Sequence, residues 1–192
     1  MLLDVLRLPG APNRIAPVEP RLAPLFCFAL LTVGCALASF ALACATPFAA
    51  YAVVAGAMLP LPAALMVVTA AWLVNQAIGF GVLGYPHDTN TLLWGLAIGV
   101  AALAATVASK AVLRILPRAA TPVALVLALA GAYAAYEILL FAVTPALGGA
   151  GAFTVAIITR LGVLNAAWLI PLVAFCAAWR LATNVRAGPA AY

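Results

Sequence analysis

The sequence predicts an all-α integral membrane protein, a bundle of six transmembrane helices with both termini in the cytoplasm. Three observations predict it. Of 192 residues, 68% are hydrophobic and 7% charged, where a soluble domain carries about 25% charged residues, and the mean hydropathy is +1.23. The 65 residues from 22 to 86 hold no Asp, Glu, His, Lys or Arg, their ionisable side chains being the thiols of Cys27, Cys35 and Cys44 and the phenols of Tyr51 and Tyr85, a run long enough to cross a hydrocarbon core about three times at roughly 20 residues per helix. Eight of the nine basic residues, all but Arg160, then gather in three places: Arg7, Arg14 and Arg21 at the start, Lys110, Arg114 and Arg118 in the middle, and Arg180 and Arg186 at the end.

Taken in order, residues 1–21 read as a cytoplasmic lead-in, 22–183 as one membrane domain and 184–192 as a cytoplasmic tail. The apolar segments are Leu22 to Ala45, Pro47 to Leu59, Leu61 to Phe80, Thr91 to Ser109, Thr121 to Val143 and Phe153 to Ala182. The second is short, and MLPLP at 58–62 reads either as a turn between two helices or as a kink in one. Charge arbitrates, because Lys and Arg in short loops favour the cytoplasmic side. With a turn, six helices place all three basic clusters inside and leave the loops 81–90 and 144–152, free of Lys and Arg, outside. With a kink, five helices force the 110–118 cluster to the side opposite the N-terminus. Six is the consistent count.

Composition also excludes functions. The net charge of +5 lies at membrane borders, where topology and anionic headgroups account for it, so no nucleic-acid partner is expected. No CxxC is present and the cysteines read as small apolar fillers, without a disulfide framework. No catalytic constellation, zinc motif or phosphate loop occurs, so an enzyme is not expected, nor an intrinsic cofactor. Gly95 and Gly99, continued by Ala97, Ala101 and Ala105, with Gly34/Ala38 and Ala124/Ala128/Ala132, form small-residue faces for packing inside the bundle or for docking another subunit.

The chemistry lies in the few polar groups within spans, each expensive there. With alternating helices from an inside N-terminus, Asn75 and Gln76 fall one to one and a half turns below the outer surface, Glu137 about 9 Å below it and Arg160 about 10 Å below it. Three helices thus bring polar groups to one depth. The loop GYPHDTNT lies above, with Tyr85, His87 and Asp88, while Trp94 and Tyr136 border the same layer. Glu137 and Arg160 suit a structural ion pair or ligand contacts, and Tyr133, one turn before Glu137, is placed to supply it a hydroxyl. The aromatic residues suit an outer interfacial belt as well as a cavity wall. The reading is a cavity open to the outside, walled by Asn75, Gln76, Tyr85, His87, Asp88, Trp94, Tyr136, Glu137 and Arg160.

NQAIGFGVLGYP at 75–86 followed by TLLWGLAIG at 91–99, in a small Ala- and Leu-rich six-helix chain, resembles the substrate-binding S-components of energy-coupling-factor vitamin transporters, and within them the solitary proteobacterial vitamin B12 transporters. The resemblance implies a bacterial inner-membrane protein that holds cobalamin, as transported ligand, in an extracytoplasmic cavity, alone or with an energising membrane module. By position Tyr85 and Arg160 match the family's binding pocket. The cysteine that ligates cobalt in the B12 group has no counterpart near the end of the third segment, which leaves His87 as the candidate axial ligand. The alternatives are an accessory subunit of a respiratory or photosynthetic complex and an S-component for another vitamin or a metal ion.

Overall fold

A chain this apolar must pair its backbone groups internally once in lipid, which leaves helices or a closed barrel. The computed structural model describes residues 14–42 and 45–186, the side chains of 184–186 excepted, and every regular element among them is helical. The helices are α1 (Ala23–Leu42), α2 (Phe48–Met58), α3 (Leu61–Gly81), α4 (Thr89–Ile115), α5 (Thr121–Leu147) and α6 (Val155–Arg186), with a 3₁₀ turn at Ala150–Ala152. Five of these are long and apolar enough to span a membrane. Large apolar side chains stand exposed round the perimeter, among them Leu25, Val33, Met66, Ile115 and Val155. In water such a surface would drive aggregation; against acyl chains it is the expected one. The molecule is a multi-pass membrane protein.

α2 is the departure. Its 11 residues reach about 16 Å at 1.5 Å per residue, half a hydrocarbon core, so the second segment does not span. All eleven are buried, and α2 packs against α3, α4, α5 and α6. It nonetheless reverses the chain. Leu59, whose N–H bonds Ala55 O, ends α2, and the extended Pro60 starts α3, so MLPLP is a turn. A helix buried on every side must still satisfy the free N–H groups of its first turn and the free carbonyls of its last. At the first turn Asn165 Oδ1, from α6, accepts from Ala50 N–H at 3.1 Å. At the last, Lys110 Nζ, from α4, donates to Gly56 O at 2.9 Å and Leu59 O at 2.6 Å. A basic group at the C-terminal end also suits the helix dipole.

Lys110 was expected in a loop after a span ending at Ser109. α4 instead continues to Ile115, which carries Lys110 into the interior at 7% exposure. Residues 14–18 likewise dock rather than trail: Ile15 and Pro17 are buried, Arg14 N–H bonds Ala57 O, and its guanidinium donates to Leu116 O and, at 3.0 Å, to Ala119 O. The expected tail overlaps α6, which runs on through Arg186; residues 1–13 and 187–192 lie outside the described residues.

These contacts define two ends. The α2 C-terminus, Arg14 and the α4–α5 turn meet at one, here the basic end. There Phe26 of α1 packs on Phe175 and Trp179 of α6, with ring centroids 6.2 and 5.5 Å apart, so α1 begins and α6 ends on the same side. The small-residue faces are used internally. Ala101, Ala105, Ala124, Ala128 and Ala132 are buried. At Gly99 an added Cβ would fall 2.6 Å from the Trp72 ring of α3, while Gly95 lies against Gln76 and accepts the Trp72 indole N–H through its carbonyl at 2.9 Å. The Gly95/Gly99 face is therefore an intramolecular seat for α3. Cys27, Cys35 and Cys176 are buried and free, in keeping with apolar filling.

Replacing Lys110 by Met leaves the carbonyls of Gly56 and Leu59 unpaired in the interior. The expected loss is about 1–3 kcal/mol for each, read as a lowered thermal midpoint of the purified protein in detergent, whereas Arg118→Met, on the exposed turn, should leave the midpoint unchanged.

Candidate functional site

Because α2 stops short, the bundle is not filled above its N-terminus. A cavity of about 300 Å³ lies there. Ala45 and Thr46 of the α1–α2 linker and Asn165 form the side nearest α2; Trp94 and Ile98 of α4, Tyr136, Glu137 and Leu140 of α5, and Ile157 and Leu161 of α6 form the walls. The turn Gly149–Phe153 supplies the rim. Trp94 and Lys110 are sixteen residues apart on one helix, about 24 Å, so the cavity and the basic end are at opposite ends of the bundle.

Sequence and packing explain the walls. Phe48, the first residue of α2, packs on Tyr136, with rings 6.4 Å apart and 30° from parallel, and so fixes one aromatic wall. Phe153 is held edge-on by Phe141 at 5.4 Å. The chain leaves α5 through two residues of positive φ, Gly148 at 79° and Gly149 at 83°, a backbone region that glycine enters without steric cost. At Gly149 a Cβ would also come within 3.3 Å of the Trp94 ring. The rim turn therefore requires glycine twice over.

The polar groups are mostly committed. Asn165 accepts from Ala50 N–H and donates from Nδ2 to Leu161 O at 2.9 Å. Thr46 Oγ1 accepts from Asn75 Nδ2 at 2.9 Å, and the same amide nitrogen donates to Ser39 Oγ at 2.9 Å. Glu137 differs: its Oε1 is buried with no hydrogen-bond partner.

Of the residues expected to wall the site, Trp94, Tyr136 and Glu137 do so. Asn75 stands behind the wall, buried, tying α3 to α1 and to Thr46, and Gln76 donates to Asn75 Oδ1 at 3.1 Å while filling the space over Gly95. The amide pair is structural support rather than lining. Arg160 is exposed and forms no ion pair with Glu137. Its depth was anticipated correctly, but the cavity face of α6 is Ile157, Leu161 and Asn165, and Arg160 lies about 100° round the helix from that face. The Tyr133 hydroxyl lies beside the Glu137 carboxyl, but it donates its one proton to Ile158 O at 2.6 Å, joining α5 to α6.

The loop residues fold onto the end of α3 instead of over the cavity. Tyr85 lies on Gly79, where a Cβ would be 2.6 Å from its ring, and meets Phe80 edge-on at 6.1 Å. His87 sits over Phe80 at 5.4 Å and is not among the cavity-lining residues, so the expected axial metal ligand is away from the space a ligand would occupy. Among the described residues no three His, Cys, Asp or Glu side chains gather as a metal site. Asp88 caps α4, accepting from Thr91 N–H at 3.0 Å and from the Thr91 hydroxyl at 2.7 Å.

Sequence reasoning missed Thr46, Phe153 and Asn165. Asn165 carried a signal, as the one side-chain amide in the last span. A second opening, an apolar groove of about 600 Å³ between α1 and α6, is lined by Phe26, Leu30, Leu37, Leu172 and Phe175 among others. Set between lipid-facing helices and almost without polar groups, it suits acyl chains better than an oriented solute. In comparisons with known protein families, curated proteins and solved structures, none matches this chain.

The Thr91 hydroxyl, and then its backbone amide, hold the Asp88 carboxyl below its ordinary range. A lowered folded value means that the cap stabilises α4 above the ordinary carboxylate range and is lost as pH falls through the lowered value. The protection of the Thr91 amide, taken relative to its intrinsic exchange rate at each pH, should therefore fall on acidification in the native protein, and that loss of protection should be absent in Asp88→Asn, whose side chain caps without titrating.

Proposed function

We propose that the protein binds a small organic solute in this cavity for uptake across a bacterial inner membrane, as an S-component-like protein acting alone or with an energising membrane module. The observation that carries the reading is the cavity itself: a half-enclosed space at the end of the bundle remote from Arg14, Lys110, Arg114 and Arg118, with aromatic walls and a few convergent polar groups, the usual make-up of small-molecule sites. Lys and Arg favour the cytoplasmic side, which puts Arg14, Arg114 and Arg118 inside, both chain ends inside and the cavity mouth outside.

Size narrows the ligand. Sites for drug-sized ligands run from about 300 to 1,000 Å³, and this one is at the lower bound. A corrinoid with its side-chain amides and nucleotide loop is larger than such ligands, so cobalamin would require the rim turn and α6 to move apart. A single-ring or two-ring vitamin or a similar metabolite fits without that opening. The competing reading, an accessory subunit of a larger complex, loses part of its motivation because Gly95 and Gly99 already face Trp72 and Gln76 of the same chain.

A thermal-shift screen of the purified protein against vitamins and small metabolites, cobalamin included, tests the reading. At least one compound of single- or double-ring size should raise the midpoint, and Ala152→Trp, which puts an indole into the mouth from the rim, should weaken that compound about tenfold or more. A protein that binds none of them and co-purifies with partner subunits at fixed stoichiometry would overturn it.

A further inference from the structure

The cavity lining contains a carboxylate, Glu137, and no Lys, Arg or His. The side chain is half-buried on the cavity wall, and one of its two oxygens, Oε1, is shielded from solvent without a hydrogen-bond partner. The neighbours that would ordinarily supply one are engaged elsewhere: Tyr133 gives its proton to Ile158 O, and Arg160 faces out of the bundle. Farther off, Lys110 and Arg14 are bound to backbone carbonyls at the opposite end. A buried carboxylate oxygen left in this condition is costly, and in native structures such groups are paired or meet a ligand. The walls beside it are the rings of Trp94, Tyr136 and Phe153, whose faces attract cations.

From this arrangement we infer that the solute is an organic cation: an apolar, ring-sized body bearing a protonated nitrogen with at least one N–H. The nitrogen donates to Glu137, and the body lies between Trp94, Tyr136 and Phe153. The inference rests on the cavity being a solute site and deepens that reading by fixing the charge class. It also gives the solitary acid a purpose that an internal ion pair would have removed.

Three probes with the same phenylethyl body separate the possibilities: phenethylammonium, 2-phenylethanol and 3-phenylpropionate, titrated onto the detergent-purified full-length protein and followed by ligand-observed NMR. Phenethylammonium should bind about tenfold or more tighter than 2-phenylethanol, the range of a charge-assisted hydrogen bond, and 3-phenylpropionate should be the weakest. Glu137→Gln, which keeps the side-chain shape, should erase the preference for the cation, bringing the affinity ratio of phenethylammonium to 2-phenylethanol to about one. Equal affinities, a preference for the anion, or a cation preference that survives in Glu137→Gln would overturn the inference and leave the solute site standing. Absence of binding by all three would overturn both. The wild-type series decides by itself if the Glu137→Gln protein does not fold.

Discussion

The structure depends on a helix too short to cross the membrane being buried among helices that do. Every residue of α2 is buried within the protein, so its ends must be satisfied by the protein itself. Side chains reach in to do it. Asn165 closes the first turn from α6 and Lys110 closes the last from α4. An amide and an amine that would be expensive in a lipid-facing position become the fastening of the fold, because each replaces a missing helix-end partner.

Two consequences follow from that one placement. Since α2 turns the chain round without spanning, the chain returns to the same end with five full-length helices, and Arg14, Lys110, Arg114 and Arg118 collect there, while Arg160 lies at the other end. Since α2 is about 16 Å long, the space above its N-terminus is left to the side chains of α4, α5 and α6, and the cavity forms there. Asn165 belongs to both halves: it holds α2 in place and forms part of the cavity surface. The surface of the cavity and the integrity of the fold thus share one side chain.

Class, pass parity and the turn at Met58–Pro62 were legible in composition and charge, because they depend on sums over many residues and on the side-chain and backbone limits of proline. The length of α2 was not, since an apolar segment reads alike whether lipid or protein surrounds it. Lys110 was misplaced for a related reason: a lysine at the edge of an apolar run looks like a loop residue until a buried helix end offers it carbonyls. At the site, depth was legible from helix rise, and it located Trp94, Tyr136 and Glu137. Rotational phase was less so. Arg160 has the right depth and the wrong face, while Asn165, two turns beyond Ile157 on the correct face, was passed over. The loop with His87 and Asp88 was assigned to the mouth because it is polar; in the fold its rings settle on Gly79 and Phe80, and its acid begins a helix.

The central claim is that α2 reverses the chain inside the membrane. Single cysteines at positions 21, 87 and 118, in a background whose native cysteines are replaced by serine or alanine, can be labelled in intact cells with a membrane-impermeant maleimide. The account predicts label at 87 alone, with 21 and 118 protected until the cells are broken. Label at only one of 21 and 118 in intact cells would contradict it, because the number of crossings between them would then be odd and α2 would not return the chain.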